Sequence, residues 1–291
     1  MSRCFYLYSD YYVPFDELQE MAQKLNSKGY TIGLKKFESD GFIAGTFYIE
    51  GYADCGVHVI VEEKLITVMI NFLANEADFA LAVQILDLLS YILEKEVYDE
   101  KGSVIVAREY FTDDKVQEFR EKDVTNALNE LKANPHEIIQ FKGIVRDVYF
   151  GDALKELLER FEDHPEKLVD VFDRIKNHVQ YGLPDYKNPE ATYICNKDYR
   201  YVEEPLIIRS MFKGNPYILQ DYDYLMIASN EENIFINNED LLEIVYELFD
   251  ENSGFSIVDD FTVVFPKLNG AKWKLFVDLA RERNHKELLS A

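Results

Sequence analysis

The sequence predicts an α+β fold built from two sheet-and-helix units with mainly antiparallel, meander-type strands. Of the 291 residues, 47% are hydrophobic and 14% aromatic, which is enough to form a large core. A length near 290 fits one large domain or two domains of about 150 residues each. Short apolar runs separated by turn-forming residues alternate with segments of helical periodicity, and this order is typical of α+β proteins.

Residues 1–110 are predicted to form the first unit. Pro14 suits the first turn of a helix, and Gly29 is a natural end for it. The separators between the later apolar runs are short enough for consecutive hairpins. The predicted strands are Arg3–Tyr8, Thr31–Phe37, Phe42–Glu50, Val57–Glu62, Leu65–Phe72 and Ser103–Ala107.

An unusually apolar helix is predicted after Asn75, which can cap it, with Asp78 at the third helical position. Apolar residues from Phe79 to Leu93 cover more than half of its circumference, so we expect it to pack beneath the sheet as a core helix. Residues 111–136 are predicted to contain a surface helix that connects the two units, because its apolar stripe is sparse.

Residues 137–291 are predicted to form the second α+β unit. Its predicted strands are Glu137–Phe141, Ile144–Phe150, Leu206–Met211, Tyr217–Leu219, Tyr224–Ala228, Asn233–Ile236 and Phe261–Phe265. Its predicted helices are Asp152–Glu162, Pro165–Tyr181, Glu239–Phe249 and 271–289.

The chain is strongly acidic, with 54 Asp and Glu against 31 Lys and Arg, a net charge of −23. The stretch 214–266 of the second unit contains no Lys or Arg at all, whereas the closing segment from Ala271 is slightly basic. Such a charge repels nucleic acid and anionic membranes and attracts basic proteins. We therefore expect a basic protein partner, and neither nucleic acid nor membrane.

Acidic and aromatic residues of this stretch are the candidate contact residues. Tyrosine is enriched at recognition surfaces because it offers area and a hydroxyl group at low entropic cost. The alternatives are that the charge only confers solubility and that the tyrosines are ordinary half-buried sheet residues. The predicted partner-binding residues are Asp221, Asp223, Glu231, Glu232, Glu239, Glu243, Glu247, Tyr222 and Tyr224.

Motifs for catalysis or metal binding are weak. Cys55 and His58 form a C-x-x-H pair, but a structural zinc site needs two such pairs. The acidic turn 250–254 does not match the register of a calcium-binding loop. Cys195 has no histidine nearby in the sequence. We therefore predict no catalytic residue, no metal site and no cofactor.

The leading hypothesis is a non-enzymatic, acidic binding protein of the inhibitor or immunity type, with mimicry of nucleic acid as a narrower version. The alternative is a small-molecule enzyme with a cleft between the two halves and dispersed catalytic residues, and a scaffold subunit is a third possibility. Three scattered cysteines, Cys4, Cys55 and Cys195, and a polar N-terminus predict a soluble protein of the reducing cytoplasm.

Overall fold

The computed structural model describes residues 2–25, 29–39, 42–135, 137–194, 205–229, 232–248 and 254–285. The chain divides into two compact units, Met1–Gly182 and Leu183–Ala291. Helices and antiparallel sheets occur together, which confirms the predicted α+β class.

The first unit contains a sheet in the order β2-β3-β4-β5-β1-β6-β7, in which every neighbouring pair is antiparallel. The predicted meander is confirmed, since β2 to β5 follow one another in both sequence and space. These strands are β1 (Arg3–Tyr8), β2 (Ile32–Ser39), β3 (Phe42–Ile49), β4 (Val57–Glu62), β5 (Leu65–Ile70), β6 (Val97–Tyr98) and β7 (Val104–Ile105). A separate hairpin is formed by β8 (Ile139–Phe141) and β9 (Val148–Phe150).

Helices of the first unit cover one face of this sheet and form a second layer beside it. They are α1 (Phe15–Leu25), α2 (Glu76–Leu93), α3 (Ala107–Tyr110), α4 (Asp113–Ala133), α5 (Asp152–Glu159), α6 (Pro165–Asn177) and a π-helical turn (His178–Gly182). The predicted capping of α2 is present: the Asn75 side chain accepts from the Asp78 backbone N–H, and the Asp78 carboxylate accepts from the Asn75 backbone N–H. Within the described ranges, no helix has the length and apolar character needed to cross a membrane.

The predicted connector helix belongs to the first unit, and the observed division therefore differs from the predicted boundaries at 110 and 136. Helix α4 packs against α5 and α6, and it buries Val124, Ala127 and Leu128 in doing so. A stripe that is sparse in sequence is sufficient here because α6 offers a matching apolar face. The residues from 137 to 182 therefore belong to the first unit.

The second unit combines two small sheets with two helices. One sheet has the order β10-β11-β13-β14, with β11 and β13 parallel, and the other has the order β12-β16-β15. The strands are β10 (Ala191–Ile194), β11 (Leu206–Met211), β12 (Tyr217–Leu219), β13 (Tyr224–Ala228), β14 (Asn233–Ile236), β15 (Ser256–Ile257) and β16 (Val263–Phe265). The helices are α7 (Asn238–Leu248) and α8 (Gly270–Glu282).

An aromatic core holds α8 against these sheets. The Phe276 ring contacts that of Phe265 edge-on with 5.0 Å between centroids, and the Trp273 ring lies 5.6 Å from Phe276. All three side chains are buried. Because α7 also packs on α8, the chain after residue 270 is brought next to the acidic helix.

Candidate functional site

Basic residues at the end of the chain lie against the predicted acidic contact residues. Arg281 Nε lies 2.8 Å from Glu232 Oε1, and Arg283 Nε lies 3.2 Å from Glu243 Oε2. Arg283 also pairs through its second guanidinium nitrogen with Glu247. The slightly basic closing segment therefore folds back and partly neutralises α7, an arrangement that the sequence left open.

Two further acidic residues of the stretch organise loops near β11 and β13. Arg209 Nε donates to the Asp221 backbone carbonyl at 2.8 Å, and its Nη2 lies 3.4 Å from the Asp221 carboxylate. The Asp223 carboxylate accepts a hydrogen bond from the Ile207 backbone N–H at 2.6 Å. The first of these carboxylates is balanced by a cation, and the second satisfies a backbone group.

The two predicted contact tyrosines have different surroundings. Tyr222 is buried, and its hydroxyl donates to Asn238 Oδ1 at 2.7 Å. Burial raises the pKa of Tyr222, so its phenol is a neutral hydrogen-bond donor of the core. The Tyr224 ring is half-buried and lies edge-on to His285, 5.5 Å between centroids. Glu231 lies outside the described residues.

The aromatic side chain that α7 exposes is Tyr246, a residue that the sequence analysis did not select. Its side chain is 74% exposed. Glu239 lies seven positions before Tyr246, Glu243 lies three positions before it, and Glu247 follows it directly. These spacings place the four residues on one side of the helix. We call these four residues the α7 face. The sequence contained a signal for this residue, because Tyr246 lies outside the apolar stripe by which α7 packs on the core, so an aromatic side chain is not needed there for packing.

The first unit contains a buried cluster of charged residues that the sequence analysis also missed. Lys176 is 2% exposed, and its ammonium lies 2.7 Å from Asp54 Oδ2 and 3.1 Å from Asp173 Oδ1. It donates to the Leu73 backbone carbonyl at 2.6 Å. Arg120, a buried residue of α4, pairs with Asp173 of α6. The cluster thus connects the loop before β4 with two helices.

The position of Lys176 contained a usable signal. Lys176 follows Phe172 by four residues and Val169 by seven, so it lies on the buried stripe of α6. A lysine on an apolar stripe must be paired when it is buried. The identity of its partner could not be predicted, because Asp54 is more than a hundred residues away in the sequence.

Burial shifts the pKa values of this cluster strongly. Burial raises the pKa of Asp54 to about 6, although the Lys176 ammonium acts in the opposite direction. Burial lowers the pKa of Lys176, but the carboxylates of Asp54 and Asp173 outweigh this effect and raise it overall. Among the described residues, the Asp54 carboxylate has no polar partner other than this ammonium. Its charge is therefore only partly compensated.

Cys55 and His58, the C-x-x-H pair of the sequence, each form hydrogen bonds with other residues. Cys55 donates its thiol to Asp78 Oδ2 at 3.4 Å, and burial raises the pKa of Cys55 well above its ordinary value. Such a thiol stays protonated and is a poor nucleophile or metal ligand. His58 contacts Thr46 Oγ1 through Nδ1 and Asn71 Nδ2 through Nε2, each at 2.7 Å. Cys195 lies outside the described residues.

A cavity of about 430 Å³ opens beside His58. It lies between the β3–β5 part of the sheet and the β8–β9 hairpin, and Phe72, Phe141 and Ile144 form its apolar wall. Burial lowers the pKa of His58, which keeps the imidazole neutral. Because both of its ring nitrogens are already hydrogen-bonded, His58 has no nitrogen left for proton transfer in this arrangement.

Within the described ranges, no three His, Cys, Asp or Glu side chains are placed together so that they could hold a metal ion. The fold and its sites thus define an α+β chain with a buried ion cluster in one unit and an acidic, aromatic helix face in the other. No family model, curated protein or solved structure matches this chain.

Proposed function

We propose that this chain is a non-enzymatic, cytoplasmic protein of the inhibitor or immunity type, which binds a basic protein partner through the α7 face. The observation that supports this proposal is the exposed Tyr246 among three glutamates of one helix. An accessible aromatic side chain with charged neighbours has the composition of a protein-binding contact, in which the aromatic supplies affinity and the charges supply orientation.

The ion pairs of Arg283 are compatible with this function. Glu243 stays 68% exposed and Glu247 48% exposed although both pair with Arg283. One guanidinium bridging two carboxylates on consecutive turns holds both side chains in place and thereby lowers the entropy that binding costs. Glu239 is also exposed, so the α7 face keeps an excess of negative charge.

The two kinds of side chain are expected to act differently on binding. Removal of a central aromatic residue commonly costs about 2 kcal/mol, or about 30-fold in affinity. Removal of an exposed charge mainly slows association and weakens its dependence on salt. Tyr246→Ala should therefore raise the dissociation rate, whereas Glu239→Lys should lower the association rate.

The test is capture of proteins from the source cells with the full chain as bait, followed by binding kinetics with the basic protein that is retained. We expect Tyr246→Ala to lose about 30-fold in affinity and Glu239→Lys to associate more slowly, most strongly at low salt. The matched controls are Tyr193→Ala, which removes a tyrosine 61% exposed on β10, and Glu20→Lys on the exposed side of α1.

The proposal fails if the captured protein is not basic or if its binding does not respond to salt. It also fails if the two control variants reduce binding as much as the two α7 variants do, because the effect would then not come from this face.

A further inference from the structure

The outer side of helix α2 exposes apolar residues near the end of the helix. The helix packs its other side on the sheet through buried residues such as Leu81, Ile85 and Leu89. Tyr91 on its outer side is 81% exposed. Apolar residues cover more than half of the circumference of α2, and a helix with so wide an apolar surface is normally covered by neighbouring elements. The exposure of Tyr91 therefore indicates a surface that another body covers.

Exposed apolar residues in β7 and directly after it extend this surface. Val104 is 54% and Val106 56% exposed, and β7 is the last strand of its sheet. Together with Leu88 and Tyr91 of α2 they border a groove of about 780 Å³ between the helix and the strand. We call Leu88, Tyr91, Val104 and Val106 the α2 patch. A contiguous patch of this kind marks an interaction site more often than scattered apolar residues do.

The charges around the α2 patch cancel, in contrast to the acidic chain as a whole. Three basic and three acidic side chains line the groove or pair with its residues: Lys24, Lys95, Arg108, Asp10, Asp87 and Glu96. Lys95 lies 2.8 Å from Asp10, and Arg108 Nε lies 2.5 Å from Asp87. A chain with a net charge of −23 therefore presents an electrically neutral, apolar surface at this place.

We propose that the α2 patch is the interface of a homodimer, in which Tyr91 of each copy enters the groove of the other. Two chains of −23 repel each other over most of their surfaces, so a neutral apolar patch is where two copies can meet at the lowest electrostatic cost. A two-fold axis also requires a self-complementary surface. A protruding tyrosine beside an apolar groove meets that requirement. The dimer is independent of the function proposed for α7.

The test is the molar mass of the full chain in solution, measured by sedimentation equilibrium over a hundredfold range of concentration. We expect a reversible dimer that persists at high salt, because its interface buries apolar area and no net charge. Tyr91→Glu and Val104→Glu should each weaken dimerisation by about 30-fold or more, since each places a charge in an apolar contact.

Tyr193→Glu introduces the same charge at an exposed tyrosine of β10 and should leave the dimer unchanged. Circular dichroism of all variants checks that they remain folded, and because Tyr91 and Val104 are exposed, neither substitution disturbs the core. A monomer at every concentration overturns the proposal. So does a dimer that survives both patch substitutions, or one that Tyr193→Glu disrupts equally.

Discussion

Replacing Asp54 with asparagine tests whether the buried cluster of the first unit takes up a proton in the folded protein. Asp54 is fully buried, with the Lys176 ammonium 2.7 Å away and the carboxylates of Asp78 and Asp173 acting on it as like charges. Arg120 adds a second cation at Asp173, but it also pairs with Glu76. The carboxylates of the cluster therefore outnumber its cations, and a proton on Asp54 lowers the excess of negative charge. The asparagine side chain keeps the shape of the aspartate and removes its titration.

The sign follows from the direction of the shift. Burial raises the pKa of Asp54 from 3.8 to about 6, so between these values the folded protein holds a proton that the unfolded chain releases. The stability that this proton contributes is fully present below 3.8 and is lost as the pH rises through about 6. A shift of this size corresponds to about 3 kcal/mol in total, and to about 1.4 kcal/mol between about pH 7.5 and about pH 5.

The assay is urea unfolding of wild-type protein and Asp54→Asn, followed by circular dichroism at several pH values. The free energy of unfolding of the wild type, minus that of the variant, should rise by about 1.4 kcal/mol from about pH 7.5 to about pH 5. Acidic groups far from Asp54 cancel in this difference. Fluorescence of Trp273, the single tryptophan, reports the second unit and should show no change between the two proteins. Parallel pH profiles of the two proteins, or a difference of the opposite sign, would refute the reasoning.

Three further substitutions or measurements test the buried polar groups. In urea unfolding, Lys176→Met should lower the free energy of unfolding by about 3–5 kcal/mol, because it leaves buried carboxylates uncompensated. The control Lys167→Met, on the exposed side of α6, should change the free energy of unfolding by about 0.5 kcal/mol or less. Tyr222→Phe should cost about 1 kcal/mol in the same assay, since it removes a buried hydrogen bond; no change would contradict the contact. In a variant whose other cysteines are serine, Cys55 should react with a disulfide reagent only as fast as the protein unfolds, and immediate reaction would contradict its burial.

Local patterns were sufficient to predict the meander from β2 to β5 in the first unit. The strand predicted at Val57–Glu62 has the same bounds in the structure, and the cap of α2 by Asn75 and Asp78 is present as predicted. Both features depend on neighbouring residues in the chain, such as turn residues between alternating apolar positions and a polar residue before a helix. Their physical cause is therefore contained within short windows of sequence.

Features that depend on distant pairing could not be predicted in the same way. The α4 helix has too few apolar residues to suggest burial, and its place in the first unit follows from packing against α6. The pairing of Lys176 with Asp54 likewise joins two segments with no shared local pattern. For the acidic stretch, the sequence showed which charges lacked local partners, but not that Arg281 and Arg283 would return to them.

The return of these arginines changes which residues a binding function must depend on. The second unit has 20 acidic and 11 basic residues, a net charge of −9, against 34 and 20, or −14, for the larger first unit. Charge is therefore spread over both units nearly in proportion to their length, so net charge alone does not distinguish the second unit as the one that binds. In the function proposed above, the exposed aromatic side chain supplies affinity for the basic partner and the glutamates direct its approach, so the proposal depends most on Tyr246. Because the α2 patch carries no net charge, rising salt should weaken association at α7 and leave association at α2 intact.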